Sequence, residues 1–184
     1  EQMKTQNARY SILLLLIVMF AAPGIGAYLF YNHPEWLGTS RTNKGTLLAH
    51  PLQLSSVAND SKWHLVFWAP DLCDKQCIAQ LNVLARVRFA LGRKFYQVEE
   101  TLLLGQEQNE TPSLLQSALK ETLFKVNHLS ASEIQQLNQL SAIPQIFIMN
   151  PDNYLILSYQ SGVNPDDVYK DIKLLLNISE SKKG

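Results

Sequence analysis

The sequence has little cysteine, and its charges are balanced. Cys73 and Cys77 are the only cysteines among 184 residues, too few for a disulfide-rich scaffold and short of the four ligands of a structural zinc site. Lysine plus arginine and aspartate plus glutamate both number 16, so nothing indicates a nucleic-acid partner. A Gly-rich phosphate loop, a Ser/His/Asp arrangement and a paired-carboxylate motif are also missing. The two thiols therefore remain as a redox pair, as ligands of a shared metal ion, or as an inert pair.

A long apolar run near the N-terminus predicts a membrane anchor. Residues 11–31 carry no charge, and a helix of that length is about 30 Å long, close to the thickness of the hydrocarbon core. The alternative is a cleaved signal peptide with its core at residues 11–22, but the run resumes after Gly26, which favours the anchor. Because Lys4 and Arg9 precede the run, the positive-inside rule predicts that residues 1–10 form a cytoplasmic tail.

Both interpretations export the part of the chain after the apolar run. We therefore expect a single-pass protein of the inner (cytoplasmic) membrane with its C-terminal domain in the periplasm, an oxidising compartment. The composition predicts a linker at residues 32–61, a folded domain at 62–178 and a short tail at 179–184.

Within the domain, apolar patterns predict strands and helices in alternation. Ser130 and Glu133 have the spacing of a capping box, and Asn164 followed by Pro165 is typical of a helix start. The predicted order is a strand at 64–68, a helix at 77–91, a strand at 95–104, a helix at 113–123, a short helix after Ser130, strands at 143–149 and 154–159, and a last helix after Asn164.

This order predicts a three-layer α/β sandwich. With paired cysteines at the first strand-to-helix turn and Pro144 opening the third strand, the domain resembles the thioredoxin fold over about residues 63–178. In that fold the same turn carries the active thiols, and the proline lies beside them.

The predicted positions of the two cysteines suggest different roles for them in thiol–disulfide exchange. A thiolate is the reactive and metal-binding form, and a helix N-terminus lowers its pKa. Cys73 is expected in the first turn as the exposed attacking thiol, with Cys77 deeper on the same face as the resolving thiol. Lys75 would favour the thiolate by its charge, whereas Asp71 and Asp74 would oppose it. The alternative is a structural disulfide or two buried, inert side chains.

The spacing of the cysteines gives a more specific resemblance. The pattern Trp68-x-Pro70-x-x-Cys73-x-x-x-Cys77, behind one N-terminal anchor, is similar to the Sco family of copper chaperones for cytochrome c oxidase. The stretch at 146–153 also resembles the strand and turn before that family's hairpin. The resemblance implies that the cysteines bind copper, pass it to the oxidase's binuclear copper site and reduce the cysteines of that site.

One departure from the Sco pattern concerns the third copper ligand. The family's histidine lies nine residues before the proline that matches Pro151, and this chain has Ala142 there. Cys73 and Cys77 would then hold Cu(I) alone, since Cu(I) accepts soft ligands and low coordination. His128 is the nearest substitute in sequence, ahead of His33, His50 and His64.

Three functions remain as alternatives. The first is assistance to cytochrome c oxidase assembly by thiol–disulfide exchange, Cu(I) handling or both, with an oxidase subunit or another respiratory assembly protein as partner. The second is a general periplasmic thiol–disulfide oxidoreductase, for instance in cytochrome c maturation. The third is a redox-inactive assembly scaffold. In the first two, Cys73, Cys77 and Pro144 are the site residues.

Overall fold

The computed structural model describes residues 2–32, 43–57, 59–106 and 113–181 and divides the chain into units 1–42 and 43–184. The described part of the first unit is helix α1 (Gln2–Asn32). Its segment Ile12–Leu29 is long and apolar enough to cross a membrane. The helix begins well before the predicted anchor and takes in most of the predicted tail.

A mixed sheet forms the centre of the second unit. In the described part of the chain it has six strands in the order β1-β6-β5-β2-β3-β4. Strands β2, β3 and β4 are parallel, β5 runs antiparallel to β2 and β6, and β1 runs antiparallel to β6. The strands are β1 (Thr46–Gln53), β2 (Trp63–Ala69), β3 (Val98–Leu104), β4 (Lys125–Asn127), β5 (Gln145–Met149) and β6 (Tyr154–Gln160).

Helices cover both faces of the sheet. They are α2 (Lys75–Ala90), α3 (Ser113–Thr122), α4 (Ala131–Leu140) and α5 (Pro165–Ser181). Side chains of α2, α3 and α5 share one core with Phe67, and Leu137 of α4 shares the other with Trp68 and Phe147. Neighbouring residues of a strand point to opposite faces, and this places Phe67 and Trp68 in different cores. The predicted three-layer, thioredoxin-like architecture is confirmed.

Most predicted elements are present, with local differences. The predicted strand at 95–104 begins only at Val98, because residues Gly92–Gln97 form a 3-10 helix that starts with the positive φ of 58° at Gly92. Strand β4 was not predicted, since its three residues include only one apolar side chain. The last helix reaches Ser181, inside the predicted tail.

The segment predicted as a linker contributes to the domain. Strand β1 lies within it and pairs with β6, and the compact unit begins at residue 43. The carboxylate of Asp171, 1% exposed, accepts hydrogen bonds from the backbone N–H groups of Lys44 and Gly45 and from the hydroxyl of Tyr159. This contact fixes the start of the unit to α5, and its sequence separation of 126 or 127 residues hides it from local patterns.

Candidate functional site

The two cysteines lie at the junction of β2 and α2 and form a disulfide. Their Cα atoms are 5.2 Å apart, within the range that a disulfide requires. Asp74 is the N-cap of α2, and its carboxylate accepts the N–H groups of Gln76 at 2.9 Å and Cys77 at 3.0 Å. Cys77 is therefore in the first helical turn, whereas Cys73 precedes the helix. The predicted place of Cys73 in the first turn is wrong, because the aspartate after it starts the helix.

The two cysteine residues do not differ in exposure as predicted. Each cysteine is 7% exposed, and both pack against the core shared by α2 and α5. The disulfide lies at the wall of an open cleft of about 160 Å³, which is lined by Cys77 and not by Cys73. In this oxidised form, Cys73 is thus not the more exposed thiol.

Pro144 lines the same cleft as the disulfide. Asp71, Asp74 and Leu72 from the turn before α2 share its lining with Cys77 and Pro144. Gln76 and Gln80 of α2 and Ser161, which comes directly after β6, complete the polar part of the wall. Gln76, Gln80 and Ser161 were not predicted. The helical spacing of Gln80, three residues after Cys77, could have indicated it, whereas Ser161 reaches the cleft only through the packing of α2 against the sheet.

Trp68 contacts the segment that carries Pro144 from the opposite face of the sheet. Its indole Nε1 donates a hydrogen bond of 3.0 Å to the carbonyl oxygen of Ser141, three residues before Pro144. The ring is fully buried in the core on the α4 side, opposite the disulfide, so it cannot shield the thiols. Its role is to hold the segment that carries Pro144.

The turn before Cys73 is closely packed. The N–H of Gly105 donates to the carbonyl oxygen of Ala69 at 2.8 Å. A Cβ atom at Gly105 would lie 2.5 Å from the carbonyl oxygen of Pro70, closer than van der Waals contact permits. Glycine is therefore required where β3 passes this turn.

The charges at the cleft are negative. Asp71 and Asp74 both line it, and a carboxylate close to a thiol disfavours the thiolate. Lys75 lines a different groove, between α2 and α3. The favourable charge expected from Lys75 is thus not directed into the cleft, and α2 itself remains the feature that favours a thiolate.

In the described part of the chain, no third copper ligand lies beside the cysteines. Among the described residues, no group of three or more His, Cys, Asp or Glu side chains has the arrangement of a metal site. His128 and His50 are both exposed, and His33 lies outside the described residues. His64 is buried between Thr101 and Asp60, at 3.0 Å from each. Burial lowers the pKa of His64, and its bonds are those of a packed core residue.

The fold and the disulfide define a thioredoxin-like protein. Residues 63–179 match the family model described as "Transmembrane-like, thioredoxin-like, C-terminal domain". The match covers more than half of the chain, and the chain belongs to this family. No curated protein shows a significant match to it.

Solved structures with a similar fold include Sco proteins. Apo Sco1 from Thermus thermophilus is 17% identical with a TM-score of 0.54, and the alignment covers 75% of this chain and 99% of that one. Copper-bound ScoI from Arabidopsis thaliana is 13% identical with a TM-score of 0.52, covering 70% and 97%. Copper-bound yeast Sco1 is 11% identical with a TM-score of 0.52, covering 72% and 94%. At these identities the similarity establishes a shared fold.

Proposed function

We propose that this chain is a membrane-anchored, periplasmic thiol–disulfide exchange protein that uses Cys73 and Cys77. The observation that carries the proposal is a disulfide at the wall of an open cleft that also contains Pro144. A purely structural disulfide needs no access, whereas exchange requires that another sulfur reach the bond. The apolar helix α1 supports the membrane anchor.

The exchange reaction moves two electrons between the protein and a client. In the reduced protein, one thiolate attacks a client disulfide and forms a mixed disulfide, and one client sulfur leaves as a thiolate. The second cysteine then attacks the mixed disulfide. The client is released as a dithiol, and Cys73 and Cys77 become the disulfide seen here. A thiol donor returns the protein to its dithiol form.

Trapping of the mixed disulfide tests this proposal. If Cys73 attacks, as the sequence predicts, Cys77→Ser lacks the resolving thiol and accumulates a mixed disulfide with a client. Because Cys77 is the cysteine that lines the cleft, Cys73→Ser must be tested in parallel, and the variant that traps identifies the attacking thiol. A wild-type disulfide that resists dithiothreitol, with no trapping by either variant, would instead indicate the redox-inactive scaffold.

Cu(I) transfer is a second candidate function. The reduced cysteines would provide two thiolates, a ligand set that suits Cu(I), whereas Cu(II) favours nitrogen donors that this site lacks among the described residues. Copper-bound Sco proteins among the structures of similar fold support this candidate. Titration of the reduced protein with Cu(I) against a competing chelator should give one equivalent bound, lost in Cys73→Ser and in Cys77→Ser.

The proposed client is a cytochrome c oxidase subunit or another respiratory assembly protein. The C-x-x-x-C spacing shared with the Sco pattern supports this choice. Trapping in membranes should then give one dominant mixed disulfide, and both cysteine variants should lower oxidase activity, with partial rescue by added copper. Normal assembly of the oxidase copper site in the double variant would contradict it. Many trapped clients would favour the general oxidoreductase.

A further inference from the structure

A second cleft adjoins the one at the disulfide. It has a volume of about 500 Å³ and is lined by Lys44, Thr46, Gln145 and Gln160, among others. Ser161 lines both clefts, and Pro144 of the first directly precedes Gln145 of the second. The two clefts therefore form one groove, which we call the sheet-end groove.

The strand register gives the direction and length of this groove. Trp68 at the end of β2 pairs with Gln145, which pairs with Gln160, and Ser158 of β6 pairs with Thr46 of β1. The groove thus crosses the sheet from β2 to β1 at one end. Three strand spacings amount to about 14 Å, and an extended chain covers that distance in about four residues.

The far end of the groove is held in a fixed conformation. The buried Asp171 carboxylate accepts the N–H of Gly45 at 2.7 Å and that of Lys44 at 2.7 and 2.9 Å. Gly45 also lies against the ring of Tyr159, where a Cβ atom would be 2.5 Å from the ring carbon Cζ. The backbone that carries Lys44 is therefore preorganised, which lowers the entropy cost of binding a ligand there.

The two ends of the groove carry opposite charge. Asp71 and Asp74 line the disulfide end, and Lys44 is the charged residue that lines the β1 end. The Asp171 carboxylate at that end is buried beneath the lining and is occupied by the N–H groups of Lys44 and Gly45 and the hydroxyl of Tyr159. The lining between the two ends carries no charge and includes the polar side chains of Ser161, Gln145 and Gln160, which can form hydrogen bonds with an extended backbone. This pattern suits a peptide with a cation at one end and a carboxylate at the other.

We infer that the sheet-end groove selects its client: an extended segment with a basic residue next to its cysteine and an acidic residue about four positions away. The inference rests on the proposed exchange function and specifies its substrate class. The client's basic residue would pair with Asp71 and Asp74, and its acidic residue with Lys44. Because these ion pairs are partly exposed, each should change the affinity for the client about twofold to fivefold at low salt.

Peptide binding tests the inference without requiring exchange. The full chain in neutral detergent is titrated into labelled peptides in which serine replaces cysteine, read by fluorescence anisotropy. A peptide with arginine beside the serine and glutamate about four residues away should bind at least about fivefold more tightly than one with these charges exchanged. Both chain directions of the peptide are included.

Charge reversal at the far end gives the sharper result. Lys44→Glu should lower the affinity for the peptide that carries arginine and glutamate about fivefold. Replacing the peptide's glutamate by lysine should restore the affinity of this variant. Lys120→Glu, on the outer surface of α3, is the matched control and should leave the preference unchanged. Equal affinities for all peptides, or equal effects of the two variants, would overturn the inference. Reduction of the wild-type disulfide by dithiothreitol is measured separately, and its failure would overturn the exchange function alone.

Discussion

Replacement of Glu133 by glutamine tests the contact that joins the segment after β1 to α4. Glu133 is 5% exposed, and its carboxylate accepts hydrogen bonds from the hydroxyl of Ser55, the N–H and hydroxyl of Ser56, and the N–H and hydroxyl of Ser130. Burial by itself would raise the pKa of Glu133, but the bonds from Ser56 and Ser130 outweigh it and lower the pKa to about 2. The folded state therefore strongly prefers the ionised carboxylate.

The size of the effect can be worked out from the pKa difference. A fall from 4.5 to about 2 is about 2.5 units, and each unit corresponds to about 1.4 kcal/mol. Because the pKa is lower in the folded state, this stabilisation is complete above about pH 5 and disappears as the pH falls through about 2. Glu133→Gln should thus cost about 3 kcal/mol at pH 7, or about 10 °C in melting temperature for a unit of this size.

Urea unfolding of a fragment covering 43–184, one compact unit, measures this cost as a function of pH. The difference between wild type and Glu133→Gln should narrow steadily as the pH falls from about 4.5 to about 2. Glu121→Gln, at an exposed position on α3, is the control and should change the free energy of unfolding by less than about 0.5 kcal/mol. A Glu133→Gln difference that stays constant over that pH range would refute the reasoning.

Three further perturbations test other parts of the domain. Trp68→Phe removes the bond to Ser141, leaves that carbonyl oxygen without its partner and opens a cavity at a fully buried position, so it should cost about 2–4 kcal/mol in urea unfolding. It should also slow disulfide exchange in stopped-flow reduction, and an unchanged exchange rate would argue against support of segment 141–144 by Trp68. Gly105→Ala places a Cβ atom against the backbone of Pro70 and should lower stability by about 1–3 kcal/mol in thermal melts. Burial raises the pKa of Glu100 from 4.5 to about 7. Its contribution to the free energy of unfolding should therefore fall as the pH rises from 4.5 to about 7. Glu100→Gln should remove this part of the pH dependence, measured by urea unfolding at several pH values.

Local signals in the sequence predicted much of the fold. The capping box of Ser130 and Glu133 is present as expected, and the side chain of Asn164 accepts the N–H of Asp166 at 3.1 Å. Asn153 has a positive φ of 63°, a conformation that asparagine tolerates in a turn. These features depend on residues within a few positions of one another, so a local pattern contains the information that specifies them.

The remaining features depend on distant parts of the chain. The bonds from Lys44 and Gly45 to Asp171 join the two ends of the domain, and no local pattern indicates them. The face on which Trp68 lies is set by the sheet and could have been assigned from its alternation with Phe67. The capping role of Asp74 was also accessible from sequence, since aspartate is a preferred N-cap residue.

The position of Asp74 between the cysteines bears on which of them attacks. Its carboxylate caps α2 by accepting the N–H of Cys77 at 3.0 Å, so the first turn of the helix keeps its hydrogen bonds when the disulfide opens. Cys77 is held by that turn, whereas Cys73 lies outside the helix and has no helical hydrogen bonds to lose when its sulfur moves. To attack a client, the thiolate must reach a sulfur of the client's disulfide in line with that S–S bond. Cys73 has the backbone freedom for this approach, whereas Cys77 is the cysteine that lines the cleft in the oxidised form. If backbone freedom decides, the mixed disulfide should accumulate in Cys77→Ser; if access through the cleft decides, it should accumulate in Cys73→Ser.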